Sequence, residues 1–193
     1  MVVANIEYRL ANVAPAPAAV NDVLQAAQWF QEHAAQYKVD PKRMIVTGES
    51  AGGHLALMTG MTPASAGLGP AVKIAAVIDF YGIADVADQV AGPNQRPYAA
   101  AWIPRQPDRM ELARRVSPMT YVRKGLPSIL ALHGDADHTV PHEQSATLVN
   151  ALKNAGDDAE LITVPGGDHG FTPEEMDRLW PQIFQWLKKH KIG

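Results

Sequence analysis

The sequence predicts an α/β fold, an open and mainly parallel sheet of about five strands with helices on both faces. Three observations carry this. Short apolar runs alternate with longer amphipathic ones along the chain. The runs at 74–80 and 129–133 are continuously apolar, as in strands buried on both faces of a parallel sheet. Glycine-rich turns carrying Ser, Asp and His follow three of the runs. At 193 residues the chain is long enough for one domain with its own core, covering 1–193, and short for two.

The elements follow in order. Residues 2–8 alternate like a strand. After the Pro/Ala linker 14–17, Asn21 or Asp22 is placed to cap a helix in which Val23, Leu24, Ala27, Phe30 and Ala34 follow helical spacing. Residues 44–47 form a strand that runs into a tight turn and a small-residue helix. Residues 74–80 and 129–133 are strands, 141–155 a helix stopped by Gly156, and 160–164 the last strand. Thr172-Pro173-Glu174-Glu175 is a capping box with proline at the first helical position, and Pro181 should kink or restart the helix it opens. No repeats interrupt this order. Its least regular part, 92–108, is proline-rich, carries Tyr98 and Trp102, and reads equally as a lid or binding loop and as a surface excursion.

Bulk properties exclude several roles. A net charge of −3 favours neither nucleic acid nor an anionic membrane surface. The basic run 188–191 reads as a solvated helix end, where cations face the negative dipole. With no cysteine, disulfides and thiolate chemistry are ruled out. No apolar stretch approaches the roughly 20 residues of a membrane span. The N-terminus lacks a signal pattern, so the cytoplasm is the expected location.

The informative run is Val46-Thr47-Gly48-Glu49-Ser50-Ala51-Gly52-Gly53. Gly48-x-Ser50-x-Gly52 has the spacing of a nucleophile elbow, where a side chain two residues from the serine would strike backbone. Such a turn lifts the hydroxyl clear of the sheet. It also sets the Ala51 N–H at a helix N-terminus, where an oxyanion can be bound. A serine needs a base to take its proton, and the base needs an orienting acid. Two segments at strand ends supply both types: 132–141, with His133, Asp135, Asp137 and His138, and 164–171, with Asp168 and His169. Catalytic groups in open parallel sheets gather at the carboxyl ends of strands. Either Asp135 or Asp137 can serve as the acid on this reading. Asp168 reads as a turn residue, Glu49 as a support for the elbow, and His54 as a packed histidine. His133, Asp135, Asp137, His138 and His142 also have metal-ligand chemistry, but no distant ligand set completes them. Neither a metal nor a cofactor is expected.

The runs GESAGG, HGDADHTVP and GGDHGF, with NIEYRLA and SPMTYVRKGLPSILALHGDAD, resemble the α/β-hydrolase superfamily. Within it, the chain is similar to hormone-sensitive-lipase-like and bacterial feruloyl/acetyl-xylan esterase-like enzymes. The resemblance implies Ser50 as nucleophile, Asp137 as acid, His169 as base and the Ala51 N–H as an oxyanion donor. Asp135 would tie down its loop instead. It further implies a serine esterase of short-chain acyl or small aromatic esters acting through an acyl-enzyme, with Tyr81, Trp102 and Phe171 lining the substrate site. Two other functions share the pattern: a catalytically impaired fragment that binds small molecules or a partner, and an amide hydrolase like kynurenine formamidase.

In the resembling enzymes a strand and a His-Gly-Gly loop precede the segment matching 2–9, and that loop donates a second oxyanion N–H. No His-Gly-Gly occurs before the elbow here. By that comparison the fold is a truncated α/β-hydrolase fold with lower turnover, since one oxyanion donor is worth roughly 10²–10³ in rate. Two outcomes are expected for the strand edge so left open. The strand at 2–8 slides beside 44–47, bringing Tyr8–Leu10 near the vacant oxyanion position, or a second chain covers the edge in a homodimer.

Overall fold

In a computed structural model, residues 2–192 are described. A single sheet is formed by β1 (Ile45–Glu49), β2 (Ala76–Phe80), β3 (Ser128–Gly134) and β4 (Ala159–Val164). The strands lie in the order β1-β2-β3-β4, all parallel. The helices are α1 (Ala18–Glu32), α2 (Ala51–Met61), α3 (Val86–Val90), α4 (Pro97–Trp102), α5 (Arg109–Arg115), α6 (Glu143–Ala155) and α7 (Pro173–Lys189), joined by short 3-10 turns.

Strand alternation decides which helix covers which face. Val77, Ile129 and Ala131 point to one face and pack with Ala56, Leu57 and Met61 of α2 and Leu148, Val149 and Leu152 of α6. Ala76, Ile78, Phe80, Leu130 and Leu132 point to the other and pack with Leu179, Ile183 and Trp186 of α7. A second layer, built from Val20, Val23 and Leu24 of α1 with Leu55 and Met58 of α2, also takes in the helices that follow β2. Helices on both faces of a parallel sheet are the expected class.

Several sequence expectations need correction. The sheet has four strands rather than five, because residues 2–8 form no ladder. Val2–Glu7 are exposed, and nothing pairs with β1 on its outer side among the described residues. Alternation at 2–8 was a local signal with no partner strand to complete it. Helix α1 starts at Ala18, behind Pro17, rather than at Asn21 or Asp22. Those two side chains act outward instead: the Asn21 amide donates to the Leu68 carbonyl at 3.0 Å, and the Asp22 carboxylate holds Arg9 at 2.6 Å. The 92–108 excursion is not wholly irregular, since α4 lies within it. Helix α7 runs unbroken through Pro181, and its Thr172 capping box is formed on both sides.

Candidate active site

Of the two glycines flanking the elbow serine, Gly48 has no room for a side chain, whereas a Cβ on Gly52 would meet open space, so the steric requirement expected of both falls on the first alone. A Cβ on Gly48 would fall onto the Gly52 backbone. Between them Ser50 adopts φ 53° and ψ −115°, a left-handed conformation that costs a non-glycine residue about 1–3 kcal/mol. Two bonds hold it there. Its N–H donates to the Phe80 carbonyl at 2.9 Å, and its carbonyl accepts from His54 N–H at 3.0 Å. Ala51 opens α2, so its N–H has no acceptor within the helix.

The turns after β3 and β4 are locked together in the same way. A Cβ on Gly134 would collide with the Gly167 carbonyl. At that crossing the Ala136 N–H donates to the Gly167 carbonyl at 3.0 Å, and the Gly166 N–H donates to Asp135 Oδ1 at 2.6 Å. Asp168 caps the turn, accepting from its neighbour His169 N–H at 2.7 Å and from His138 N–H at 3.2 Å.

These turns bring the predicted residues together. His169 Nε2 lies 2.9 Å from Ser50 Oγ, and His169 Nδ1 lies 2.8 Å from Asp137 Oδ2. A carboxylate accepts, so Nδ1 carries the ring proton and Nε2 takes the serine hydroxyl. Asp137 Oδ1 accepts from the Thr139 and Val140 N–H groups, both at 2.8 Å. Its carboxylate is fully shielded from solvent, whereas His169 is one-fifth exposed. Asp135 is engaged with the loop, so the geometry sets Asp137 against His169.

Tyr81 and Phe171 stand beside the histidine. The Tyr81 ring meets His169 edge-on at 4.9 Å and Phe171 at 5.0 Å. Tyr81 is buried and holds a φ of 43°, a second strained residue beside Ser50. Burial, then the hydrogen bond to the Glu49 carboxylate, drives its phenol above the usual range. Trp102 goes elsewhere. Its ring meets His54 edge-on at 5.3 Å, one turn along α2 from Ser50, and packs into the α1–α2 layer. His54 donates from Nδ1 to the Ile83 carbonyl at 2.9 Å, and burial brings it down to about 4, so it is a neutral packed residue. The Arg9 N–H, which had been expected near the oxyanion position, donates to Asp22 at 2.9 Å.

Sequence reasoning missed two sets of contacts. His133, weighed only as a metal ligand, reaches Asp137 Oδ2 from the inner side at 3.2 Å. Arg96 Nε at 3.1 Å and the Tyr98 hydroxyl at 3.3 Å both donate to the Thr139 carbonyl, tying the 92–108 excursion to the loop that holds Asp137. Spacing gave the first a signal, because His133 and Asp137 flank one strand-end turn; the second had none. Among the described residues, one group of three metal-ligand side chains, Asp158, Glu160 and His190, lies at the opposite end of the sheet. It is already paired: Lys189 with Glu160, and His190 with Asp158.

Fold and site geometry together define an α/β-hydrolase-like protein. The BD-FAE family matches residues 1–152, and the chain belongs to that family. It is 30% identical over 164 residues to "Esterase LipQ" of Mycobacterium tuberculosis, covering 80% of this chain and 39% of that protein. Among solved structures, a "truncated form of carbohydrate esterase from gut microbiota" is 33% identical with a TM-score of 0.75, over 92% of this chain and 72% of that one. Native esterase 2 of Thermogutta terrifontis is 29% identical with a TM-score of 0.77, over 95% and 68%. The chain spans about two fifths to half the length of the curated relatives it matches.

Proposed function

We propose that this chain hydrolyses short-chain acyl or small aromatic carboxylic esters through an acyl-enzyme on Ser50. The observation that carries the reading is the unbroken line from Ser50 Oγ through His169 to Asp137, at 2.9 and 2.8 Å. His169 Nε2 takes the Ser50 proton as Oγ attacks the ester carbonyl. Asp137 holds the ring in the tautomer that makes this transfer available and faces the imidazolium once it forms. Carbonyl electrons move onto oxygen, where the Ala51 N–H donates. Collapse expels the alkoxide, which takes the proton from Nε2 and leaves as alcohol. Water then attacks the acyl-serine by the same route, giving the carboxylic acid and free Ser50. Esterase names among the relatives and solved neighbours support the same reaction class.

Half-buried Phe171 packs on buried Tyr81, whose ring meets His169, and offers an aromatic surface that suits a small acyl or aryl group. The 92–108 segment, latched at Thr139, forms the binding loop on the acid's side, with Trp102 as its anchor. The unpaired edge of β1 supports a homodimer joined there, which sedimentation would register as a two-fold mass. The decisive experiment is turnover of p-nitrophenyl acetate with Ser50→Ala as control, alongside fluorophosphonate labelling. Loss of both signals in the variant is expected. Unchanged turnover would sink the reading.

A further inference from the structure

His133 lies at the end of β3, fully buried. Its Nε2 is 3.0 Å from the Val140 carbonyl and 3.2 Å from Asp137 Oδ2. A carbonyl oxygen only accepts, so Nε2 carries the hydrogen and shares it between the two. Nδ1 is then the acceptor, and the Ser145 hydroxyl of α6 donates to it at 2.7 Å. Burial, the largest influence, pulls this imidazole below its usual range, which keeps it neutral. Asp137 Oδ2 therefore sits between two imidazoles: part-buried His169 on the outer side and fully buried His133 on the inner side.

We propose that His133, fixed by Ser145, is a positioning residue for the ester cleavage. Its Nε2–H holds Asp137 Oδ2 where that oxygen orients His169, and it moderates how strongly the carboxylate draws the His169 proton. The inference rests on the assignment of Asp137 and His169 made above. A donor withdraws charge from a carboxylate. Without it, Asp137 becomes the stronger acceptor and favours the imidazolium form of His169. Loss of the His133 donor thus moves His169 protonation to higher pH.

Other charged and titratable groups face this network from each packed element. His142 lies 5.6 Å from His133 by ring centroid, and Tyr81 lies 6.5 Å from it. Asp168 interacts with both His169 and His138, Glu49 stands behind Tyr81, and Tyr98 faces Asp137. All of these stay in place in the variants below, so differences between variants report the inner donor.

The test is ¹⁵N imidazole NMR of the full chain across pH for wild type, His133→Gln, His133→Leu and Ser145→Ala, with the pH profile of kcat/KM beside it. The Gln amide reaches about where Nε2 stands, so His133→Gln should titrate at His169 like the wild type. His133→Leu should move that midpoint up by about half a pH unit or more. It should also lower kcat/KM about tenfold at the plateau, with KM little changed. Ser145→Ala should shift the midpoint the same way by less, and it decides the matter if His133→Leu does not fold. A residue that only fills the core would alter stability and leave the His169 midpoint fixed. That result in His133→Leu and Ser145→Ala overturns the proposal, as does a shift in His133→Gln equal to that in His133→Leu, or an Nδ1–H tautomer at His133. The NMR arm needs no turnover, so failure of the esterase reading would be seen separately.

Discussion

Asp79→Asn should change how stability depends on pH, and its size follows from where the carboxyl lies. Asp79 sits in β2, fully buried against Gly53 and Gly82. Oδ1 accepts the Gly82 N–H at 3.0 Å, while Oδ2 has no partner. Burial, opposed only by that bond, pushes the carboxyl up to about 7 from an ordinary 3.8. A carboxyl raised in the folded state destabilises the fold as pH rises through that window, because the unfolded chain ionises first. Above pH 7 the full cost is about 4 kcal/mol, of which about 3 kcal/mol accrues between pH 5 and pH 8. His54 next door has the opposite slope. Its imidazole, lowered from 6.5 to about 4, contributes stability that is present above pH 6.5 and lost as pH falls towards 4. The two slopes nearly cancel in the wild type between pH 4 and 6.5, so the variant should expose the His54 slope alone. Denaturant unfolding of both proteins at pH 5 and pH 8 gives the comparison. Any pH-independent cost of the buried amide drops out when the two differences are subtracted. Relative to wild type, Asp79→Asn should gain about 3 kcal/mol on going from pH 5 to pH 8. A relative gain below about 1 kcal/mol would refute the reasoning.

Three further outcomes are expected. Asp137→Asn should lower kcat on p-nitrophenyl acetate by up to about 10⁴, because an amide N–H facing Nδ1 selects the wrong imidazole tautomer. Gly134→Ala should separate the turns carrying Asp137 and His169 at the Gly167 carbonyl; activity should fall, and thermal melting should show a loss of at least about 1–3 kcal/mol. Thr172→Ala removes the side-chain acceptor of the α7 capping box and should cost about 1 kcal/mol in thermal unfolding with activity retained.

The sequence made legible what steric necessity imposes. Gly48 and Gly52 announce the elbow because their backbones touch, and Thr172 to Glu175 announce a helix start because the bonds are local. The interior strands were legible for the same reason: Val77, Ile78, Ile129 and Leu130 are buried whichever face they meet. The residues at 2–8 misled because alternation describes a chain suited to a sheet, while pairing depends on another strand. The role of His133 was hidden because sequence gives burial but not tautomer, and here the tautomer follows from one carbonyl 3.0 Å away. Arg96 and Tyr98 meet Thr139 across more than 40 residues of chain, a distance no local pattern spans.

The strand order has a further consequence for the atoms proposed to react. Ser50 follows one edge strand and His169 the other, with β2 and β3 between them. Three strand spacings of about 4.8 Å separate those edges, so the two loops bridge about 14 Å to close a 2.9 Å contact. That contact works as a gauge of the sheet's width and twist. A side chain in the middle of the sheet, such as Ile78 or Leu130, packs against α7 and can reach that contact only through the strand spacing. On the proposed chemistry, substitutions there would act on the site mechanically, through the coiling of the sheet.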